Sequence, residues 1–235
     1  TLGRNPVSGV FTFWNKNSYA SFNATNGDWF NASPVIPLSE LYEIGLPAGY
    51  SGEHANVTIL TKDNIWALSP EEIKSLLSKS VYMDGEALKQ LNQLGWQELT
   101  GFDVVASNSG DCLEKYLDHS LNGKITGRER RAYPRSFSYA FAKSDQKAEA
   151  LTLLEDLSGN ELGIAMGIFE NKLGGRIAVS GHCALNMMGN PTKGNQMKSV
   201  FRWLSRDQLS GYVASFHRIN LWIREPNEDG NVALA

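Results

Sequence analysis

The sequence predicts an α/β domain with a mostly parallel sheet, helices on both faces and an antiparallel margin. Three observations predict it. Short apolar or β-branched runs alternate with helical periods from residue 55 to 106, a Gly-Gly turn precedes a further apolar run at 176–180, and the chain is long enough to bury one large core. Its 235 residues, 42% hydrophobic and 20% charged, have the composition of a globular protein and not of a disordered, coiled-coil or collagen-like chain. A single domain is the expectation, with residues 1–38 as an aromatic-rich N-terminal segment and 39–235 as the α/β body.

Residues 1–38 carry Phe11, Phe13, Trp14, Tyr19, Phe22, Trp29 and Phe30 without a helical period. Such a segment packs its rings on the sheet or on a neighbour, or offers them as a sugar-stacking platform, for which Trp14, Trp29 and Phe30 are the candidates. Residues 55–60 (Ala-Asn-Val-Thr-Ile-Leu) form a strand followed by turn chemistry at 61–64. Ser69 is a helix N-cap, Pro70 suits the first helical position, and Glu71 and Glu72 suit the positive end of the helix dipole. Ile73, Leu76 and Leu77 give that helix one apolar face.

Val81-Tyr82-Met83 is a second strand, ended by Asp84-Gly85, and a helical period starts at once with Glu86, Ala87, Leu88, Leu91 and Leu94, closed by Gly95. Residues 102–106 form a third strand. Two helices between three strands imply right-handed crossovers and parallel pairing. Residues 136–142 alternate aromatic and small side chains, 148–157 fit helix or strand, and 162–169 lead through Gly174-Gly175 into the strand 176–180, an antiparallel addition at the sheet margin. Residues 195–204 read as a helix and 216–223 as a last strand.

The formal charge of −3 and the absence of a Lys/Arg-rich run exclude a nucleic-acid footprint. Arg128, Glu129, Arg130, Arg131 and Arg135 form the densest basic stretch, read as a solvated loop in preference to an anion site. No stretch reaches the roughly 20 apolar residues of a spanning helix, so no membrane partner is expected. His54, His119 and His217 lack ligand spacing, and no glycine-rich phosphate loop occurs, so neither a metal nor any other cofactor is expected. Thr1 and the apolar end at 231–235 read as cuts from a longer chain, and sequons at Asn23, Asn31 and Asn56 fit export to the periplasm or outside the cell.

A strand turning sharply into a helix is the geometry that presents a nucleophile, and residues 81–91 have it, but the tip is Asp84, Gly85 and Glu86, with no Cys or Ser. Asp84 and Glu86 could serve as an acid/base pair on a sugar, although an Asp-Gly turn with Glu in the first helical turn is explained by turn and dipole chemistry alone. His182, after the strand 176–180, is the best lone catalytic candidate. Cys183 faces away from it in extended chain, and a Cys112–Cys183 bridge is as good a reading as a reactive thiol.

The run Leu76-Leu77-Ser78-Lys79-Ser80-Val81-Tyr82-Met83-Asp84-Gly85-Glu86-Ala87-Leu88, with Leu94-Gly95, Leu99-Thr100-Gly101, Ile44-Gly45-Leu46-Pro47 and Leu173-Gly174-Gly175-Arg176-Ile177-Ala178-Val179, resembles the glutamine-amidotransferase-like domain attached to some bacterial glycoside hydrolases. The trimerisation-type domain that follows the barrel of family 42 β-galactosidases is the relative in view, over residues 40–225. The resemblance implies a flavodoxin-like sheet that has lost the amidotransferase nucleophile and acts in assembly or shielding beside a catalytic barrel. It carries over no catalytic residue. The expected function is therefore a non-catalytic accessory or oligomerisation domain of a bacterial carbohydrate-active enzyme, whose partners are the barrel or further copies of itself. Two rivals stand beside it: a small hydrolase using His182 with Asp84 or Glu86, and a carbohydrate-binding module using the N-terminal aromatics.

Overall fold

The computed structural model describes residues 57–60, 65, 68–108, 110–132, 138–181 and 191–206, with the backbones of 10–12 and 48–49. In chain order the strands and helices are β1 (Val10–Thr12), β2 (Ala48–Gly49), β3 (Val57–Leu60), α1 (Pro70–Leu77), β4 (Ser80–Asp84), α2 (Gly85–Gln93), α3 (Gln97–Thr100) and β5 (Phe102–Asn108). Then follow β6 (Cys112–Tyr116), β7 (Glu129–Ala132), β8 (Ser138–Lys143), β9 (Glu149–Asp156), β10 (Glu161–Glu170), β11 (Arg176–Ser180) and α4 (Pro191–Leu204). The expected strand at 216–223 lies outside the described residues.

Local chemistry sets the first two helices. Ser69 Oγ accepts from the Glu72 amide while the Glu72 carboxylate accepts from the Ser69 amide, a complete capping box with Pro70 just inside it. Asp84 caps α2 by accepting from the Ala87 amide, and Gly95, at φ 90°, ends it.

One path through the sheet runs β2-β1-β3-β4-β11-β10-β9-β6-β7, with β8 joined to β10 and β5 to β8. Strand β1 lies parallel to β3, so the N-terminal segment contributes to the same sheet. Side chains of β3, β4 and β11 alternate between two cores. Leu60, Val81, Met83, Ile177 and Val179 face Ile73 and Leu77 of α1 and Leu88 and Leu91 of α2. Val57, Ile59, Tyr82 and Ala178 face Met197, Val200, Phe201 and Leu204 of α4. Helices thus cover both faces, and the near-continuous burial of these strands is what a two-sided parallel core requires.

The expectation of a mostly parallel sheet is corrected. Among the described residues four strand pairings are parallel and six antiparallel. Strand β5 does not extend the parallel set. Gly101, at φ 75°, turns the chain after α3, and β5 pairs antiparallel with β8. Its burial alternates residue by residue, as a half-covered antiparallel strand does. The Gly174-Gly175 hairpin forms as expected, but β11 sits inside the sheet between β4 and β10 and not at its margin. Residues 149–156, ambiguous in sequence, are strand β9 because both its edges are taken, by β10 and β6.

Asn171 ties this hairpin to the helices. Its Nδ2 donates to the carbonyls of Leu77 and Leu99, and its Oδ1 accepts from the amides of Leu173 and Gly175. Replacing Asn171 with Ala leaves these buried groups unmet, and chemical denaturation should register a loss of about 3 kcal/mol. A change below about 0.5 kcal/mol would show that the four bonds are dispensable.

Candidate functional site

Asp84 and Ser180 are register partners at the carboxyl ends of β4 and β11, the edge of a parallel sheet at which ligands usually bind. Here the chain from β4 bends into α2. Asp84 has φ −89° and ψ 174°, an ordinary N-cap conformation, and Gly85 is not among the residues of positive φ. A nucleophile elbow stores strain at its tip; this bend does not. The expectation that it keeps the form of a reactive elbow is corrected to a capped strand-to-helix turn.

Tyr139, at the start of β8, closes this edge. A Cβ built on Gly85 would come within 2.6 Å of the Tyr139 side chain, and one on Gly181 would overlap the Tyr139 carbonyl. The Tyr139 amide donates to the Gly181 carbonyl at 2.7 Å, and the Gly181 amide to the Ala165 carbonyl at the same distance. The Tyr139 hydroxyl donates to Glu86 Oε1. Burial, then the hydrogen bond and charge of Glu86, then Asp84, hold the phenol well above its ordinary value, so it stays a protonated donor. The structure therefore brings Asp84 and Glu86 to one place, with Asp84 engaged by the Ala87 amide and Glu86 by a phenol. The turn carries no thiol, hydroxyl or amine, and both of its carboxylates are hydrogen-bonded.

His182, Cys183, Trp14, Trp29, Phe30, His54 and His217 lie outside the described residues. Cys112 is buried in β6, its sulfur accepting from Asn108 Nδ2. His119 Nδ1 accepts from the Leu121 amide and Nε2 meets Glu149 at 3.1 Å, which fixes a loop and leaves no ring nitrogen over for a ligand. Among the described residues no three His, Cys, Asp or Glu side chains gather as a metal site. An open depression of about 380 Å³ lies at the opposite, amino edge, lined by Gln97, Glu98, Ser144, Asp145, Lys147 and Phe169 among others.

A buried polar cluster was not foreseen from sequence. The solvated-loop reading of the basic stretch is corrected, since Glu129–Ala132 is strand β7 and Arg130 is buried. Arg130 Nε donates to Glu114 Oε2; Lys193 Nζ, at the start of α4, and Thr152 Oγ1 both donate to Glu114 Oε1 at 2.7 Å. Lys193 also donates to Gln196 Oε1, and Gln196 Nε2 to Asn122 Oδ1. Two periodic signals pointed here. Glu114 shares the inward face of β6 with Cys112 and Tyr116, and Lys193 stands with Gln196, Met197 and Val200 on the buried face of α4.

No family model and no curated protein matches the chain. Solved structures do. A β-galactosidase from Rahnella sp. R3 superposes with a TM-score of 0.55 at 11% identity, over 84% of this chain and 31% of that one. An α-L-fucosidase isoenzyme 2 from Paenibacillus thiaminolyticus gives 0.55 at 12%, over 86% and 33%. A GMP synthase protein from Thermoplasma acidophilum gives 0.52 at 8%, over 85% of this chain and 95% of that one. This is the class I glutamine-amidotransferase-like fold. The chain spans about a third of the two glycosidases it superposes on.

Two outcomes follow from the geometry. Gly85→Ala should destabilise the fold by about 2 kcal/mol through its clash with the Tyr139 ring. Placed on a Tyr139→Gly background, which removes the Cβ as well as the ring, the same change should cost markedly less, and additive costs in the double-mutant cycle would disprove the contact. For Lys193, burial foremost, against the pull of Glu114, brings the ammonium from 10.5 down to about 8. Between these values the unfolded chain keeps a proton that the folded chain has released, so stability rises with pH across that window and is flat in this respect below it. Lys193→Met should lack the rise, as urea midpoints from about pH 7 to 10.5 would reveal.

Proposed function

We propose that this chain is a non-catalytic accessory or assembly domain of a carbohydrate-active enzyme, working through its surfaces on a neighbouring catalytic barrel or on further copies of itself. The observation that carries the reading is the bend after β4. An amidotransferase-type sheet performs chemistry from a side chain standing on a strained turn at its carboxyl edge. In this chain the turn is relaxed, its first helical residue is Gly85, and the Tyr139 ring occupies the room a side chain there would need. A fold without its nucleophile acts by contact and not by turnover.

The glycoside-hydrolase setting is supported by fold likeness to about a third of a β-galactosidase and of a fucosidase. An exported location belongs to the same reading and draws on the three sequons. Interface energy in such modules comes from a few buried aromatic or Arg anchors.

Purified chain incubated with a panel of nitrophenyl glycosides and with glutamine should show no turnover above buffer, while sedimentation with the barrel of its parent enzyme should show a complex. Turnover that disappears in Asp84→Asn, Glu86→Gln or His182→Ala would replace this reading with that of a hydrolase.

A further inference from the structure

The turn that joins β6 to β7 hangs on one side chain. Most of residues 118–128 are exposed, while Asn122 is only 5% exposed and reaches in beneath α4. Its Nδ2 donates to the carbonyls of Leu117 and Leu151, each at 2.8 Å, and its Oδ1 accepts from Gln196 Nε2 at 2.9 Å. Both amide protons and the amide oxygen are thus engaged.

The next residue is Gly123. An asparagine before a glycine is the pair in which the following backbone nitrogen most readily attacks the side-chain amide, since no Cβ hinders the approach and the backbone turns freely. The reaction needs only water. Gly123 N gives up its proton and bonds to Asn122 Cγ, the Cγ–Nδ2 bond breaks, and the nitrogen leaves as ammonia with a proton in place of the bond. Water then opens the cyclic imide at one carbonyl or the other and leaves an aspartyl or an isoaspartyl residue.

The fold restrains every atom of this step. The Gly123 amide donates to the His119 carbonyl at 3.2 Å. With Asn122 at ψ −32°, the Gly123 nitrogen is turned away from the position over Cβ that a five-membered ring demands. The leaving nitrogen is held by two carbonyls. Reaction therefore waits on local opening of the turn. Once it has occurred, the way back is blocked: where an NH2 group met two carbonyl oxygens, the product sets a carboxylate oxygen against the same two acceptors, and neither is satisfied. The isoaspartyl form also lengthens the main chain at a buried residue.

We propose that Asn122 is a latent modification site, sealed in the folded chain, converted to an acid when the turn opens, and by that conversion kept from closing again. The converted chain loses the tie between this turn and Gln196 of α4. The site is independent of the chemistry at the β4 turn.

The chain incubated in mildly alkaline buffer, with and without guanidinium chloride, tests it, with peptide mass mapping to follow amide turning to acid. In denaturant, Asn122 and Asn26, the other asparagine that precedes a glycine, should convert at a common rate. In buffer, Asn122 should fall on the order of a hundredfold behind its own denatured rate, because its side-chain bonds and that of the Gly123 amide must break first. Gln196→Ala frees Oδ1 and should recover about tenfold of that gap. Asn122→Asp, which installs the acid directly, should unfold at a lower denaturant midpoint than the parent. Equal rates in buffer and denaturant, no conversion in either, an unchanged rate in folded Gln196→Ala, or an unchanged midpoint for Asn122→Asp would overturn the proposal. If Gln196→Ala does not fold, the two rates of the parent chain decide.

Discussion

Strand β11 pairs in parallel with β4 on one edge and antiparallel with β10 on the other, and the rest of the molecule is arranged by that double role. On the β4 side, crossover helices can cover a sheet buried on two faces, so β3, β4 and β11 are buried along almost their whole length and keep their charged residues, Asp84 and Arg176, at strand ends. On the β10 side the chain returns by hairpins, and half-covered strands such as β5 alternate between inside and outside. The hairpin at Gly174-Gly175 that feeds β11 must pass directly under the end of α1, where a Cβ on Gly175 would strike the Leu77 carbonyl. Asn171 meets the four backbone groups this passage exposes.

Helix α4 then locks the two halves together by different means at its two ends. Its far end is apolar and backbone-bound, with Phe201 tilted on Tyr82, the Ser80 hydroxyl on the Leu204 carbonyl and Arg176 stacked on Trp203. Its near end is ionic, with Lys193 driven onto Glu114 of β6. Burying charge in this way is a poor source of net stability compared with an apolar replacement of equal volume. It does define position sharply, because one carboxylate must lie within reach of donors from β7, β9 and α4 at once.

Local signals in the sequence were sufficient for local structure. Ser69-Pro70 with Glu72, Asp84-Gly85 and Gly95 each act within a few residues of themselves, and the helices begin and end where those residues imply. Pairing between distant strands has no such local carrier. Asp103 and Ser107, exposed in alternation with Phe102 and Val104, were the sign that β5 could not belong to a doubly covered parallel set. Leu-rich β9 could not be told from helix until its two neighbours were known. Arg130, Glu114 and Lys193 look like solvated charges one at a time, and only the register of β6 on β7 and the pitch of α4 set them against one another. Asp84 and Glu86 were legible at the turn, whereas Tyr139, which gives that turn its character, is 53 residues from Glu86.

The fit of one tyrosine against two glycines, by its side chain on one and its backbone on the other, also bears on how such a domain could change over time. A side chain introduced at residue 85 meets the ring before it meets any substrate, and a side chain at 181 meets the backbone of the same tyrosine. Placing a side chain at either position thus requires a compensating replacement of Tyr139 or a shift of β8. Residues 85 and 181 are thereby held to glycine for as long as Tyr139 keeps its place.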